Sequence, residues 1–167
     1  EHRIGGGKWR VYDEATRVPL IIRGAEFVGG VTRSQVVANV DLAPTIAALA
    51  GVTPGRNVDG ISLVHYATSD RYRQSRAVLL EIEPTTLDTY RALRTRLWTY
   101  SQLGTGEEEL YNQVIDPYQL TSRHADMTLF REKSALATVL ETFRNCSGTS
   151  CDLDWIWLRL RSGTVVN

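Results

Sequence analysis

Neither sign of charge is in excess in this sequence: 19 Lys and Arg balance 19 Asp and Glu, and the formal net charge is zero. A chain with no basic field has nothing to draw in nucleic acid or anionic lipid non-specifically, so no nucleic acid is expected among its partners. Long apolar runs are also missing. Stretches such as Val18 to Ile22 and Trp155 to Leu158 fall far short of the roughly 20 residues that cross a bilayer, which argues against a membrane span. The start of the chain lacks the basic-then-apolar pattern of a signal peptide; because it begins at Glu1 rather than Met, that lack says nothing of the gene. Cysteine is confined to Cys146 and Cys151, and without a further Cys or His pair at ligand spacing a zinc site is not expected. HExxH, a Ser-His-Asp spacing and visible carboxylate pairs are absent, as are internal repeats and low-complexity tracts.

What is present suits a folded chain. With 167 residues, 43% of them hydrophobic and 23% charged, it is long enough for one domain with a real core, or for a domain and a small appendage. In "NCSGTSCD" four small polar residues that favour a turn separate the two cysteines. A local Cys146–Cys151 disulfide, which would imply an oxidising compartment, stands beside the alternative of two free thiols. Asn145-Cys146-Ser147 also fits the glycosylation sequon, a match short enough to arise by chance.

Val18 to Ile22 is continuously apolar, the pattern of a strand buried on both faces of a parallel sheet. Gly24, Gly29 and Gly30 read as a loop that leads to a second strand over Gln35 to Val40. "DLAPTIAALAG" predicts a helix, with Asp41 as N-cap, Pro44 in the first turn, Leu42, Ile46, Leu49 and Ala50 at helical spacing, and Gly51 as the stop. Strand followed by capped helix is the pattern of an α/β layer. From Ala77 the texture changes. After "AVLLEIE", Leu93, Thr95 and Leu97 alternate with Arg94, Arg96 and Trp98, which predicts one antiparallel strand with a wetter face. "GTGEE" predicts a hairpin turn and "ELYNQVI" the returning strand. Leu129, Leu136, Leu140 and Phe143 predict an amphipathic helix between Thr128 and Arg144 that covers one face of that sheet, with Arg131, Glu132 and Lys133 on its polar side. "DWIWLRLRSGTVVN" offers no capping or turn logic.

Few residues announce chemistry by themselves. Gly5-Gly6-Gly7-Lys8 is not a phosphate loop, because Trp9 rather than Ser or Thr follows the lysine and the first glycine of the pattern is missing. Taken alone, Lys8 and His2 read as solvated surface residues, His65 and His124 as structural ones, Asp41 as a helix cap and Asp59 as a turn residue.

Four stretches in order add a resemblance: "EHRIGGGKWRVYDEATRVPLIIRG", "SQVVANVDLAPTIAALAG", "VDGISLV" and "ELYNQVIDPYQLTSR". Together they resemble the type I sulfatases of the alkaline-phosphatase-like superfamily over about residues 1 to 151, with the nearest likeness to glucosamine-sulfatase and arylsulfatase members. Asp13-Glu14 after Tyr12, where the family shows a Glu, and Asn112, where it shows an Asp, depart from the pattern. The resemblance implies an α/β fold. Residues 1–76 would be the C-terminal part of an alkaline-phosphatase-like α/β sandwich, residues 77–151 a small antiparallel sheet with a packed amphipathic helix, and residues 152–167 a tail without an assigned role.

The resemblance also implies that the whole enzyme hydrolyses sulfate esters of a small molecule or glycan, using a formylglycine nucleophile beside calcium. Neither Cys146 nor Cys151 has the Arg four residues on that formylglycine formation requires. The chain is therefore expected to be a C-terminal fragment, cut within an active-site loop and inactive alone, whose partner is an N-terminal half carrying the nucleophile and most calcium ligands. Lys8 takes the place of the family's sulfate-contacting lysine, a compact ammonium suited to charge that develops in the transition state. His2 takes the place of a histidine near the substrate mouth, which implies a substrate contact or proton transfer. The expected compartment is secreted, periplasmic or lysosomal in type, and the uncovered apolar edge of such a fragment favours association. Two other readings remain: a non-catalytic interaction module in which Lys8 and His2 make unrelated contacts, and a phosphatase or phosphodiesterase of the same superfamily with a Ser or Thr nucleophile and two metals.

Overall fold

Alternation with a period of two governs the strands between residues 78 and 112, so each gives one set of side chains to either face. In the computed structural model, which describes residues 2, 10–69, 75–82 and 89–153, this segment is a four-stranded antiparallel meander. Its order is β1 (Val78–Ile82), β2 (Tyr90–Arg94), β3 (Trp98–Leu103) and β4 (Glu108–Asn112). The helices are α1 (Asp13–Thr16), α2 (Leu42–Leu49), α3 (Val64–Thr68) and α4 (Phe130–Phe143). One cross-strand row runs Leu79, Leu93, Tyr100, Leu110. It packs against Leu136, Val139, Leu140 and Phe143 of α4, which form the main core with Trp98 and Ala77. The spacing read from Leu129 to Phe143 thus becomes the helix it predicts, with its apolar stripe on the sheet.

At the edge of that interface, Lys133 Nζ of α4 reaches Glu108 Oε2 at 3.0 Å, and the Tyr100 hydroxyl donates to Glu108 Oε1. The Tyr100 hydrogen bond first, and Lys133 second, hold the Glu108 carboxyl below its ordinary pKa. A depressed carboxylate pKa adds stability above the unfolded value and loses it as pH falls through the folded one. Glu108→Gln is expected to lower the urea midpoint at neutral pH, and the gap to wild type should close well below the ordinary glutamate pKa of about 4.3. A gap that stays constant over that range would remove Glu108 from the linkage.

Three expectations change in the structure. Arg94, Thr95 and Arg96 do not continue one strand: the Thr95 hydroxyl accepts from Leu97 N at 3.3 Å and Trp98 N at 2.9 Å, and Thr95 N donates to Trp98 O at 2.8 Å. A side chain makes this turn between β2 and β3, in place of the Gly or Pro that usually signals one. The runs Val18 to Ile22 and Gln35 to Val40 form no strand; Ile21 is 92% exposed. A strand buried on both faces needs neighbours on either side, and no described strand lies beside these runs. The apolar stripe of α2 is likewise uncovered, with Ile46 66% exposed while Pro44 and Thr45 are buried.

Asp41 precedes α2 but does not cap it as expected, because its side chain makes no hydrogen bond to the start of that helix. It is fully buried, takes both Nη1 and Nη2 of buried Arg76 at 2.7 and 2.8 Å, and accepts from Ala38 N at 2.8 Å and Ile61 N at 2.9 Å. Gly60 makes the last bond possible, because a Cβ there would sit 2.1 Å from the Val40 carbonyl oxygen. Burial works against the charged form of Arg76, but the hydrogen bonds and charge of Asp41 outweigh it and raise the guanidinium pKa. Cys146 and Cys151 are joined, closing the short loop that the sequence left open between bridge and thiols. Within it Gly148 N donates to Asp59 Oδ1 at 2.7 Å, so the turn residue Asp59 also ties the first half of the chain to the end of the second.

Candidate functional site

The same alternation that sends Leu110 into the core sends Glu109 and Tyr111 to the other face of the sheet. Two rows cross it there: Val78, Arg94, Thr99, Tyr111 and Leu80, Ala92, Ser101, Glu109. Residues 10–13 lie over these rows. Val11 and Tyr12 pack with Tyr90, Ala92, Leu80 and Ile82 in a second, smaller core. A cavity of about 200 Å³ remains beside them, lined by Arg10, Tyr12, Tyr90, Ser101 and Glu109. Asp13, which opens α1, is held to β2 by Arg94 through Nε–Oδ1 at 3.1 Å and Nη2–Oδ2 at 3.3 Å. Past Asp13 opens a cleft of about 1000 Å³ whose lining includes Arg17, Val18, Leu20, Ile22, Arg94 and Arg96.

The Tyr12 phenol donates to Glu109 Oε1 at 3.1 Å, and Ser101 Oγ donates to Glu109 Oε2 at 3.3 Å. Burial, then the charge of Glu109, raises the Tyr12 pKa, and the same causes raise Tyr111 further, with Tyr12 adding to them. Both phenols are therefore neutral donors at physiological pH. His2 lies flat on Tyr12, ring centroids 3.6 Å apart and planes within 2°. Its Nε2 is 3.0 Å from the Tyr118 carbonyl oxygen. That carbonyl belongs to the loop after β4, which Asp116 closes by accepting Leu120 N at 3.0 Å and Thr121 N at 2.9 Å. Gln119, next along, sits at φ 56° with its side chain buried and accepts Asp13 N at 2.7 Å. One loop thus seats both His2 and the start of α1.

Of the residues singled out from the sequence, His2 falls on this face, and Lys8 lies outside the described residues. His124 Nδ1 pairs with Ser122 Oγ at 3.0 Å, and His65 lies in α3. Among the described residues no group of three or more His, Cys, Asp and Glu is placed to hold a metal ion. Sequence reasoning missed Tyr12, Glu109 and Gln119. The parity of Glu109 and Tyr111 against Leu110 was a usable signal for two partners on the second face; nothing local marks Gln119.

The model of the family "N-sulphoglucosamine sulphohydrolase, C-terminal" matches residues 1–145. The chain belongs to this sulfatase family. An arylsulfatase of Chlamydomonas reinhardtii is 30% identical over 200 residues, taking in 99% of this chain and 31% of that protein. A choline-sulfatase of Rhizobium meliloti (strain 1021) is 27% identical over 170 residues, with 93% of this chain and 33% of the other covered. This sulfatase chain thus spans about a third of the length of these relatives. The structure of BT4656 in complex with its substrate D-glucosamine-2-N,6-O-disulfate superposes with a TM-score of 0.61 at 22% identity, over 69% of this chain and 25% of that one. The phosphonate monoester hydrolase of Agrobacterium radiobacter gives 0.52 at 21%, over 62% and 24%. At these identities the likeness is one of fold: the C-terminal part of an alkaline-phosphatase-like α/β fold, ending in an antiparallel sheet with its helix. No described helix is long and apolar enough to cross a membrane.

Proposed function

We propose that this chain is the C-terminal part of an enzyme that hydrolyses sulfate esters, and that it supplies one wall of the substrate site through Lys8 and His2. The family match over residues 1–145 carries the reading. Sulfate ester cleavage moves negative charge onto the sulfuryl and leaving oxygens, and Lys8 offers a compact cation to them. His2 contributes an imidazole that can exchange a proton, held on the second face of the sheet by Tyr12 and the Tyr118 carbonyl. Formylglycine and calcium, if they serve this enzyme, belong to the remainder of it, and the chain by itself is inactive. The substrate is a sulfated small molecule or glycan.

The uncovered apolar residues favour the same arrangement. Val18, Leu20, Ile21, Ile22, Ile46 and Leu49 are all exposed, and covering side chains of this kind stabilises by about 1.5–3 kcal/mol each. The remainder of the enzyme is the surface that covers them. The Cys146–Cys151 bridge favours an oxidising compartment, secreted, periplasmic or lysosomal in type. When the reading frame that continues upstream of Glu1 is expressed with this chain as its C-terminal part, it is expected to release sulfate from p-nitrophenyl sulfate, and residues 1–167 alone are not. Preferential turnover of a phosphonate monoester would move the enzyme to the phosphodiesterase reading, and no hydrolysis of either ester would leave the interaction module.

A further inference from the structure

His2 is held by three groups that the sequence did not connect with it. The Tyr118 carbonyl, 3.0 Å from Nε2, can only accept, so Nε2 carries a proton. In the neutral ring the lone pair then falls on Nδ1. Among the described residues no hydrogen bond reaches Nδ1. The stacked Tyr12 ring fixes the plane of the imidazole, and Tyr12 is itself fixed at both ends: its hydroxyl is bonded to Glu109, and its ring meets Tyr111 edge-on, centroids 6.1 Å apart. The carbonyl is fixed by the Asp116 bonds to Leu120 N and Thr121 N on its own loop.

We infer that Tyr12, Glu109 and the Tyr118 carbonyl are positioning groups that lock the His2 imidazole in one plane and as the Nε2–H tautomer, so that Nδ1 is the nitrogen presented to substrate. The inference rests on the sulfate ester reading for its use and on this chain alone for its geometry. A proton gained at Nδ1 leaves the Nε2–H bond to Tyr118 in place, and the imidazolium keeps a favourable contact with the Tyr12 face. The ring therefore exchanges a proton at Nδ1 without turning over. Glu109 and Arg10 are the charged groups that act on the Tyr12 phenol beneath it, and Tyr111 is the other titratable group packed there.

The test is the ring-nitrogen NMR spectrum of His2 in the 167-residue chain labelled at histidine. With the ring neutral, wild type is expected to show the proton on Nε2 as the sole tautomer. Tyr12→Leu, which removes the stack, should give a mixture of tautomers; Tyr12→Phe, which keeps the stack and loses the Glu109 anchor, should fall between the two. A wild-type ring protonated on Nδ1, or already a mixture, overturns the inference without any variant having to fold. So does a tautomer that Tyr12→Leu leaves unchanged in a folded chain. The spectrum needs no turnover, so failure of the longer enzyme to release sulfate would sink the functional reading and leave the tautomer standing.

Discussion

Asp41→Ala is expected to cost the chain about 3–5 kcal/mol, the usual penalty for removing one partner of a buried ion pair. Four donors converge on the Asp41 carboxylate: two from Arg76 and the backbone amides of Ala38 and Ile61. Without it the Arg76 charge stays buried, with Asp152 Oδ1 at 4.0 Å from Nε as a distant substitute. Against a total stability of about 5–15 kcal/mol, this loss brings the chain near unfolding. The double variant Asp41→Ala, Arg76→Leu should recover much of it, because the second change removes the uncompensated charge rather than another contact. Urea unfolding of the wild type, the single and the double variant reads all three. A single-variant loss below about 1 kcal/mol would mean the pair behaves as a solvent-exposed one.

That pair also marks the limit of what the sequence discloses. Patterns written within one element were legible: the alternation of the sheet, the helical spacing from Leu129 to Phe143, the "GTGEE" turn, and Cys146 and Cys151 placed close enough to bond. Each reports a local periodicity or a short loop, and physics acts on those before tertiary contacts form. Asp41 and Arg76 meet across 35 residues, and neither neighbourhood carries a trace of the other; the sequence around Asp41 fits a helix-cap pattern, while its carboxylate bonds elsewhere. The Thr95 turn was hidden because Arg94 and Arg96 preserve the alternation while a hydroxyl, rather than a glycine, reverses the chain. Val18 to Ile22 is a different case. Its apolarity reads as a strand buried on both faces, yet the run forms none, since no described strand lies beside it. For the candidate site, the resemblance pointed to His2 and Lys8 as single positions, and Lys8 lies outside the described residues. The frame of Tyr12, Glu109 and Gln119 needed the fold, since it draws on residues 97 and 106 positions apart.

Lys8→Ala, made in the longer enzyme, is expected to lower kcat for a sulfate ester by about 10²–10³-fold, the loss that follows removal of one preorganised donor aimed at developing charge. The effect should sit mainly in kcat, because the ester carries less charge on its leaving oxygen in the ground state than in the transition state. Lys8→Arg separates charge from shape: a guanidinium keeps the cation but spreads it over a planar fork, so partial recovery is expected, short of wild type. His2→Ala should instead change the pH dependence of kcat/KM, removing the limb that a proton-transferring imidazole contributes. If Lys8→Ala raised KM with kcat intact, the lysine would bind substrate and transition state alike, and the reacting oxygens would have to find their positive charge elsewhere in the enzyme.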